Sequence, residues 1–422
     1  MPALTFNRTT ATYLAIGAVV LLFTVIIPAL GVFDTPDVRS EQGETKTGKI
    51  ERLLDENTTT GPRGQQTTRR FEVSVDGQQV TVEQVISAVD PVTKDFEAGD
   101  SVLVTRQEGP NGDVYFLSDH ARGFPLWTLA IAFCLFVIAV ARWQGAFSLL
   151  GMVFSTAIIL RFIIPGIVSG GDPVLISVIG ALAIMSSSLF LSHGVGTKTF
   201  VAFAGTAACL AITALLASFV IGFAKLTGLA DEHSITLQIV TGGAINAEGL
   251  LLGGIIIGAL GVLDDVTVAQ ASAVFELHRA NSAMGVGGLF SRGMTIGRDH
   301  IASTVNTLFL AYAGAALPLL IILSLQTEPA GILLNREFLA TEIARTIVGS
   351  IGIVAAVPIT TAIAAWAAQR YEDDSDHGHS HTHSTGPFSD KVEVRGSRER
   401  TQLPGTIELR PQRRPGSPIE RQ

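Results

Sequence analysis

The sequence predicts an α-helical integral membrane protein of about eight spans, with a small all-β domain inserted after the first span. Three observations carry this. The chain is 47% hydrophobic and only 16% charged, with a mean hydropathy of +0.43, which suits a multi-span membrane protein rather than a soluble domain. Apolar runs of roughly 20 residues, each long enough to cross a bilayer, recur along it. One polar interval near the N-terminus shows strand patterning instead. The net charge of -8 averages over compartments that share no solvent and identifies no partner. No nucleic-acid partner is expected. Cys134 and Cys209 both lie in apolar runs, so they read as small buried hydrophobes and no disulfide framework is expected.

The elements follow in order. Residues 1–33 form an N-terminal anchor. Its apolar run, Ala11 to Phe33, exceeds a signal-peptide core and has no good cleavage site after it, so the anchor is retained. Residues 34–122 form the all-β domain. Phe71, Val73 and Val75 alternate with polar residues, the chain turns at Asp76-Gly77, and alternation resumes at Val80 and Val82, a hairpin signature. Gly99-Asp100 and Asn111-Gly112 mark further turns. A barrel is one way to close such strands, and the domain suits a spacer or an assembly surface.

Residues 123–370 form a helical bundle, with spans near 125–141, 146–168, 173–192, 200–224, 249–274, 302–325 and 343–368. The segment 235–249 is too polar to span cleanly and reads as an external loop in preference to a re-entrant one. Arg142, Lys198, Arg279, Arg292, Arg298 and Arg370 fall on one side if the N-terminus is cytoplasmic. The positive-inside rule then puts both termini in the cytoplasm and the β domain outside. The tail, 371–422, is too polar to bury a core and is expected to be disordered. In it His377, His379, His381 and His383 alternate with small residues. Imidazoles on a flexible tract predict weak divalent-metal binding; no other cofactor is expected.

Enzymatic patterns fail one by one. Residues 192–199, SHGVGTKT, carry Thr197 where a phosphate loop needs glycine before its lysine. No H-E-x-x-H is present. Asp264 and Asp265 are neighbours on one predicted helix and point about 100° apart, so they cannot share a proton as an aspartyl dyad does. No enzyme is expected.

Two polar stripes remain. Asp264 lies about 20 Å into its span, where an ionised carboxylate facing lipid costs at least about 2.5 kcal/mol. It should therefore face protein, water or an ion, or else carry a proton. Asp265, Ala269, Ser272 and Glu276 share one helical face, with Gly254, Gly258 and Gly261 before them. Such glycines predict close approach of a neighbouring helix. On the next span Asp299, Ser303 and Asn306 share a face, with Arg298 and His300 at the entry. The stripes predict either a buried ion pair of Arg298 with Asp265 or Glu276, or a polar pathway in the bundle interior.

These segments, GGIIIGALGVLDDVTVAQASAVFELH and SRGMTIGRDHIASTVNTLFLAYAGAALP, resemble the YibE/F-like membrane proteins of bacteria. The resemblance covers the membrane portion and, more loosely, the β domain. It implies a multi-span protein of the inner membrane, of a kind usually called permeases, with family positions falling on Asp265, Glu276, Arg298, Asp299 and Asn306. Asp264 takes a place that is often apolar in the family, and Arg292 also departs from its pattern. Two functions stay open. One is a permease or secondary transporter of a small solute or ion, with buried carboxylates, Asp264 among them, handling a proton or cation. The other is a non-transporting scaffold whose β domain binds an envelope partner. Either is compatible with a homo-oligomer.

Overall fold

In the computed structural model, residues 17–29, 44–61, 64–87, 94–109 and 112–371 are described. The first is a short apolar helix, α1 (Gly17–Ala29). Five strands follow: β1 (Thr45–Gly61), β2 (Gly64–Val75), β3 (Gln78–Ser87), β4 (Ser101–Gly109) and β5 (Gly112–His120). They close into a barrel in the order β1-β2-β3-β5-β4. Closure removes the free edges that an open sheet would expose.

The barrel follows from the alternation. Phe71, Val73, Val75 and Val82 point inward with Ile50, Phe96, Val102 and Val104 to form its core. Asp76 and Gly77 both take positive φ, 50° and 81°, the backbone that a two-residue hairpin turn requires. β1 serves two neighbours: residues 45–49 pair with β4 and residues 48–61 with β2. Register shifts at Ile50/Arg52 and Leu53/Asp55 bend it around the corner. Gly48 is required there, because a Cβ would stand 2.7 Å from Val73 Cγ1.

After the barrel the chain is helical. The elements are α2 (Gly123–Val168), α3 (Pro173–His193), α4 (Thr197–Ala224), α5 (Glu232–Val240), α6 (Ala247–Ala280), α7 (Val286–Ala315), α8 (Leu317–Ser324) and α9 (Glu337–Ala368). Among the described residues, five of these are long and apolar enough to cross a membrane, or six if α7 and α8, bent by 68°, count as one. The count of eight expected from sequence treats α2 as two spans. Arg142 breaks α2 with φ 53° and ψ −130°, and a Cβ on Gly145 would lie 2.6 Å from the Val137 carbonyl oxygen, so the chain bends sharply there. The segment 235–249 does not span: it is the end of α5, a turn, and the start of α6, with the Asn246 side chain accepting from the Gly249 amide at 3.1 Å.

α4, α6 and α9 pack mutually, with α7 against α9 and α6, and α3 against α6. Small residues set this contact. Gly205 on α4 faces Thr360 on α9, and Gly352 on α9 faces Thr213 on α4. Gly253 on α6 faces Ser177 on α3, while Gly293 and Gly297 on α7 meet Thr361 and Val357 on α9. Between α4 and α6 the buried hydroxyls of Thr206 and Thr267 are 2.6 Å apart. Gln270 Nε2 donates to the Gly293 carbonyl at 2.8 Å and to Thr361 Oγ1 at 2.7 Å. Helices in lipid gain little from apolar burial, so close approach and interhelical hydrogen bonds carry their association.

Two predictions follow from these contacts. A Cβ at position 205 would stand 2.5 Å from Thr360 Oγ1, so Gly205→Ala should cost about 1–3 kcal/mol by overpacking, and Thr360→Ala in the same chain should recover part of the loss. Gly261, with nothing within 4 Å of its Cβ position, should accept Ala at no cost. Thermal unfolding in detergent reads all three, and equal losses at 205 and 261 would contradict the packing described. In the barrel, Asp119 accepts from Lys94 at 2.9 Å, Arg122 at 2.9 Å and the His120 amide at 2.8 Å. The Lys94 contact chiefly lowers its pKa from 3.8 to about 2. A depressed carboxylate pKa stabilises the fold above about pH 4, and that contribution is lost as pH falls toward 2. Hydrogen exchange of the β4–β5 peptides, corrected for intrinsic rates, should show this acid loss of protection in the native chain and a flatter profile in Asp119→Asn.

Candidate functional site

α6 has two opposite faces. At about 100° per residue, Gly253, Ile256, Leu260, Leu263, Thr267 and Gln270 fall on the face that packs into the bundle, and all are buried. Gly254, Gly258, Gly261, Asp265, Ala269 and Glu276 fall on the other, and all are exposed. The glycines and the carboxylates expected to follow one another are thus a single stripe. Among the described residues, nothing covers this stripe.

This corrects the expectation of buried carboxylates. Asp265, Glu276 and Asp299 are exposed, as are Arg298 and Asn306. Asp264 is half-buried, and its Oδ1 is enclosed without a hydrogen-bond partner. The physical premise, that charge avoids lipid, does not require the cover to come from the same chain. The Gln270 and Thr267 contacts turn α6 so that its apolar and hydroxyl-bearing face is the inner one. The proposed ion pairs of Arg298 with Asp265 or Glu276 are not among the contacts formed. Glu276 accepts from Arg279 one turn on, at 2.8 Å. Among the described residues nothing lies within 4 Å of a Cβ on Gly254 or Gly261, and a Cβ on Gly258 would approach the Tyr312 hydroxyl at 3.9 Å. α7 adds exposed polar residues of its own, Asp299, Ser303, Asn306 and Thr307, on one face by their spacing.

The makeup of that surface differs from that of α2. There the exposed side chains are large and apolar: Phe124, Trp127, Leu135, Phe136 and Val140. Those suit hydrocarbon. Asp265, about 27 Å along a helix of about 51 Å, does not.

A cavity of about 630 Å³ opens at the end of the bundle where α6 and α9 begin. Phe338, Thr341, Glu342 and Arg345 line it. Their i, i+3, i+4, i+7 spacing is one face of α9. Across from them stand Asp231 and His233 at the start of α5, Leu250, Leu251 and Gly254 of α6, and Leu319 of α8. Asp231 caps α5, accepting from the Ser234 amide at 3.0 Å and its hydroxyl at 2.7 Å. Arg345 Nη1 donates to Glu342 Oε1 at 2.9 Å. Thr341 is 5% exposed, and its Oγ1 has no hydrogen-bond partner.

Sequence reasoning missed this cavity. Its signal, a polar stripe of Thr341, Glu342 and Arg345 at the head of the last span, was present in the sequence. Gly254, expected to serve helix packing, instead lines the cavity. His377, His379, His381 and His383 lie outside the described residues, and no group of three or more potential metal-binding His, Cys, Asp or Glu occurs among the described residues.

Comparison with known proteins fits the helical portion. No curated protein and no solved structure matches the chain. The family model described as YibE/F-like protein matches residues 129–370, more than half of the chain. The match includes both polar stripes and the cavity and begins after the barrel, so the looser resemblance expected of the β domain lies outside it. With its apolar helices and this match, the chain is a membrane protein and belongs to the YibE/F-like family.

Proposed function

We propose that the chain is a permease that moves a small solute, with Asp265 on α6 and Asp299 on α7 handling a proton or cation along a water-accessible path. One observation supports this most: the exposed face of α6 carries glycine and carboxylate where the exposed face of α2 carries large apolar groups. A face of that composition in mid-membrane calls for water, ions or a polar partner. Half-buried Asp264, beside Asp265, lends the same path a third carboxylate. The eight-span reading belongs to this proposal: α1 within the anchor, α2 as two spans across its break, α7 with α8 as one. By the positive-inside rule it gives cytoplasmic termini and an external barrel.

A second reading, a scaffold that binds an envelope partner, has one feature in its favour. β1 and β2 pair out to Gly61↔Gly64, and residues 53–60 of this ribbon are exposed, Leu53 and Leu54 among them. An exposed ribbon tip suits a protein contact.

Asp265→Asn separates the readings. Asn keeps size and hydrogen-bonding capacity but neither charge nor an exchangeable acidic proton. The side chain is exposed, so thermal stability in detergent should stay within about 0.5 kcal/mol of the native chain. In vesicles holding a trapped pH dye, solute-driven proton movement should be lost. A stable Asp265→Asn protein with full proton movement contradicts the coupling role, and an unfolded one assigns Asp265 to structure instead.

A further inference from the structure

We infer that the cavity between α5, α6, α8 and α9 binds a small zwitterion with an apolar side chain, of the α-amino acid class. Its transport role rests on the permease reading; binding itself does not.

The lining carries both signs of charge close together. Among the described residues, Arg345 makes one polar contact, a single N–H to Glu342. A guanidinium has five such donors, so an edge is free to take a carboxylate in a two-point contact. Thr341 lies one turn before Arg345 on the same face and lines the cavity, and its buried hydroxyl lacks a partner. A buried hydroxyl without a partner is unfavourable. A ligand carboxylate held by Arg345 would satisfy it.

The lining as a whole disfavours a simple anion. Glu342 and Asp231 set two carboxylates against the one guanidinium, with His233 beside them. A monocarboxylate would bring a third negative charge, whereas an ammonium group on the ligand meets Glu342 and Asp231 favourably. A simple amine would leave Arg345 and Thr341 unanswered. Between the charged groups, Leu250, Leu251, Leu319 and Phe338 offer an apolar wall, and Gly254 leaves open space, with nothing within 4 Å of its Cβ position. The volume of about 630 Å³ lies within the range of small-molecule sites and admits a bulky apolar side chain.

The test uses the purified full-length chain in detergent and three probes of one carbon skeleton: L-leucine, 4-methylpentanoate, which lacks the ammonium, and 3-methylbutylamine, which lacks the carboxylate. Equilibrium dialysis should show leucine binding, with each single-charge analogue weaker by about tenfold or more. Arg345→Gln should weaken leucine to the level of the amine. If Arg345→Gln fails to fold, Gly254→Leu decides, because a Cβ there meets nothing within 4 Å and the leucine side chain adds bulk at the cavity lining, so it should abolish binding in a folded protein. The inference is overturned by no leucine binding up to about 10 mM, by an analogue binding as well as leucine, or by Gly254→Leu binding like the native chain. Leucine uptake into vesicles is measured separately: binding without uptake keeps the site and counts against the permease reading alone.

Discussion

The bundle depends on one repeated contact, a glycine on one helix set against a hydroxyl-bearing side chain on the next. Gly205 with Thr360 and Gly352 with Thr213 make it reciprocally between α4 and α9, and Gly253 with Ser177 repeats it between α6 and α3. Each contact removes a side chain so that backbones can come close. The Thr206–Thr267 and Gln270–Thr361 hydrogen bonds then tie α6 to α4 and α9. In lipid this is what remains to hold helices together, because burying an apolar group there gains little over leaving it in hydrocarbon.

That constraint determines what α6 has left over. With Gly253, Thr267 and Gln270 turned inward, the opposite face must point out, and it is the face of Gly254, Gly258, Gly261 and Asp265. α7 is held to the bundle by its own glycines, Gly293 and Gly297, and so presents Asp299, Ser303 and Asn306 on its free side. Near the start of α6, nothing lies within 4 Å of a Cβ on Gly254, and the cavity opens beside it, with the first turns of α9 as its charged wall. A packing rule in the core thus fixes where polar chemistry can stand outside it.

Much of the fold was legible from the sequence. Alternation at Phe71, Val73 and Val75 pointed to the barrel core, and Asp76-Gly77 to the hairpin, because strand period and turn chemistry are local. The apolar runs placed the long helices, and Arg142 falls between two of the runs, where α2 breaks. The site was less legible. Gly254, Gly258 and Gly261 make an obvious pattern, yet the glycine of α6 that faces a hydroxyl is Gly253. One residue is about 100° of helix, and a linear pattern does not say which face finds a partner. Gly205 and Gly352 belong to no local pattern; their partners lie more than a hundred residues away. The carboxylates were expected inside the bundle, whereas Asp265, Glu276 and Asp299 lie outside the chain's own core, because a linear pattern does not say which face of a helix is turned inward.

The central claim is that the free face of α6 meets water in the membrane. Its most direct test is a cysteine at Gly258 in a chain whose Cys134 and Cys209 have been replaced by Ala, compared with a cysteine at Leu135 on the apolar face of α2. In intact membranes a small, charged, membrane-impermeant thiol reagent should label position 258 and leave 135 unmodified, while a lipid-soluble maleimide labels 135. Labelling of neither position by the charged reagent, with position 258 open to the lipid-soluble one, would mean that this face meets hydrocarbon and would contradict the account.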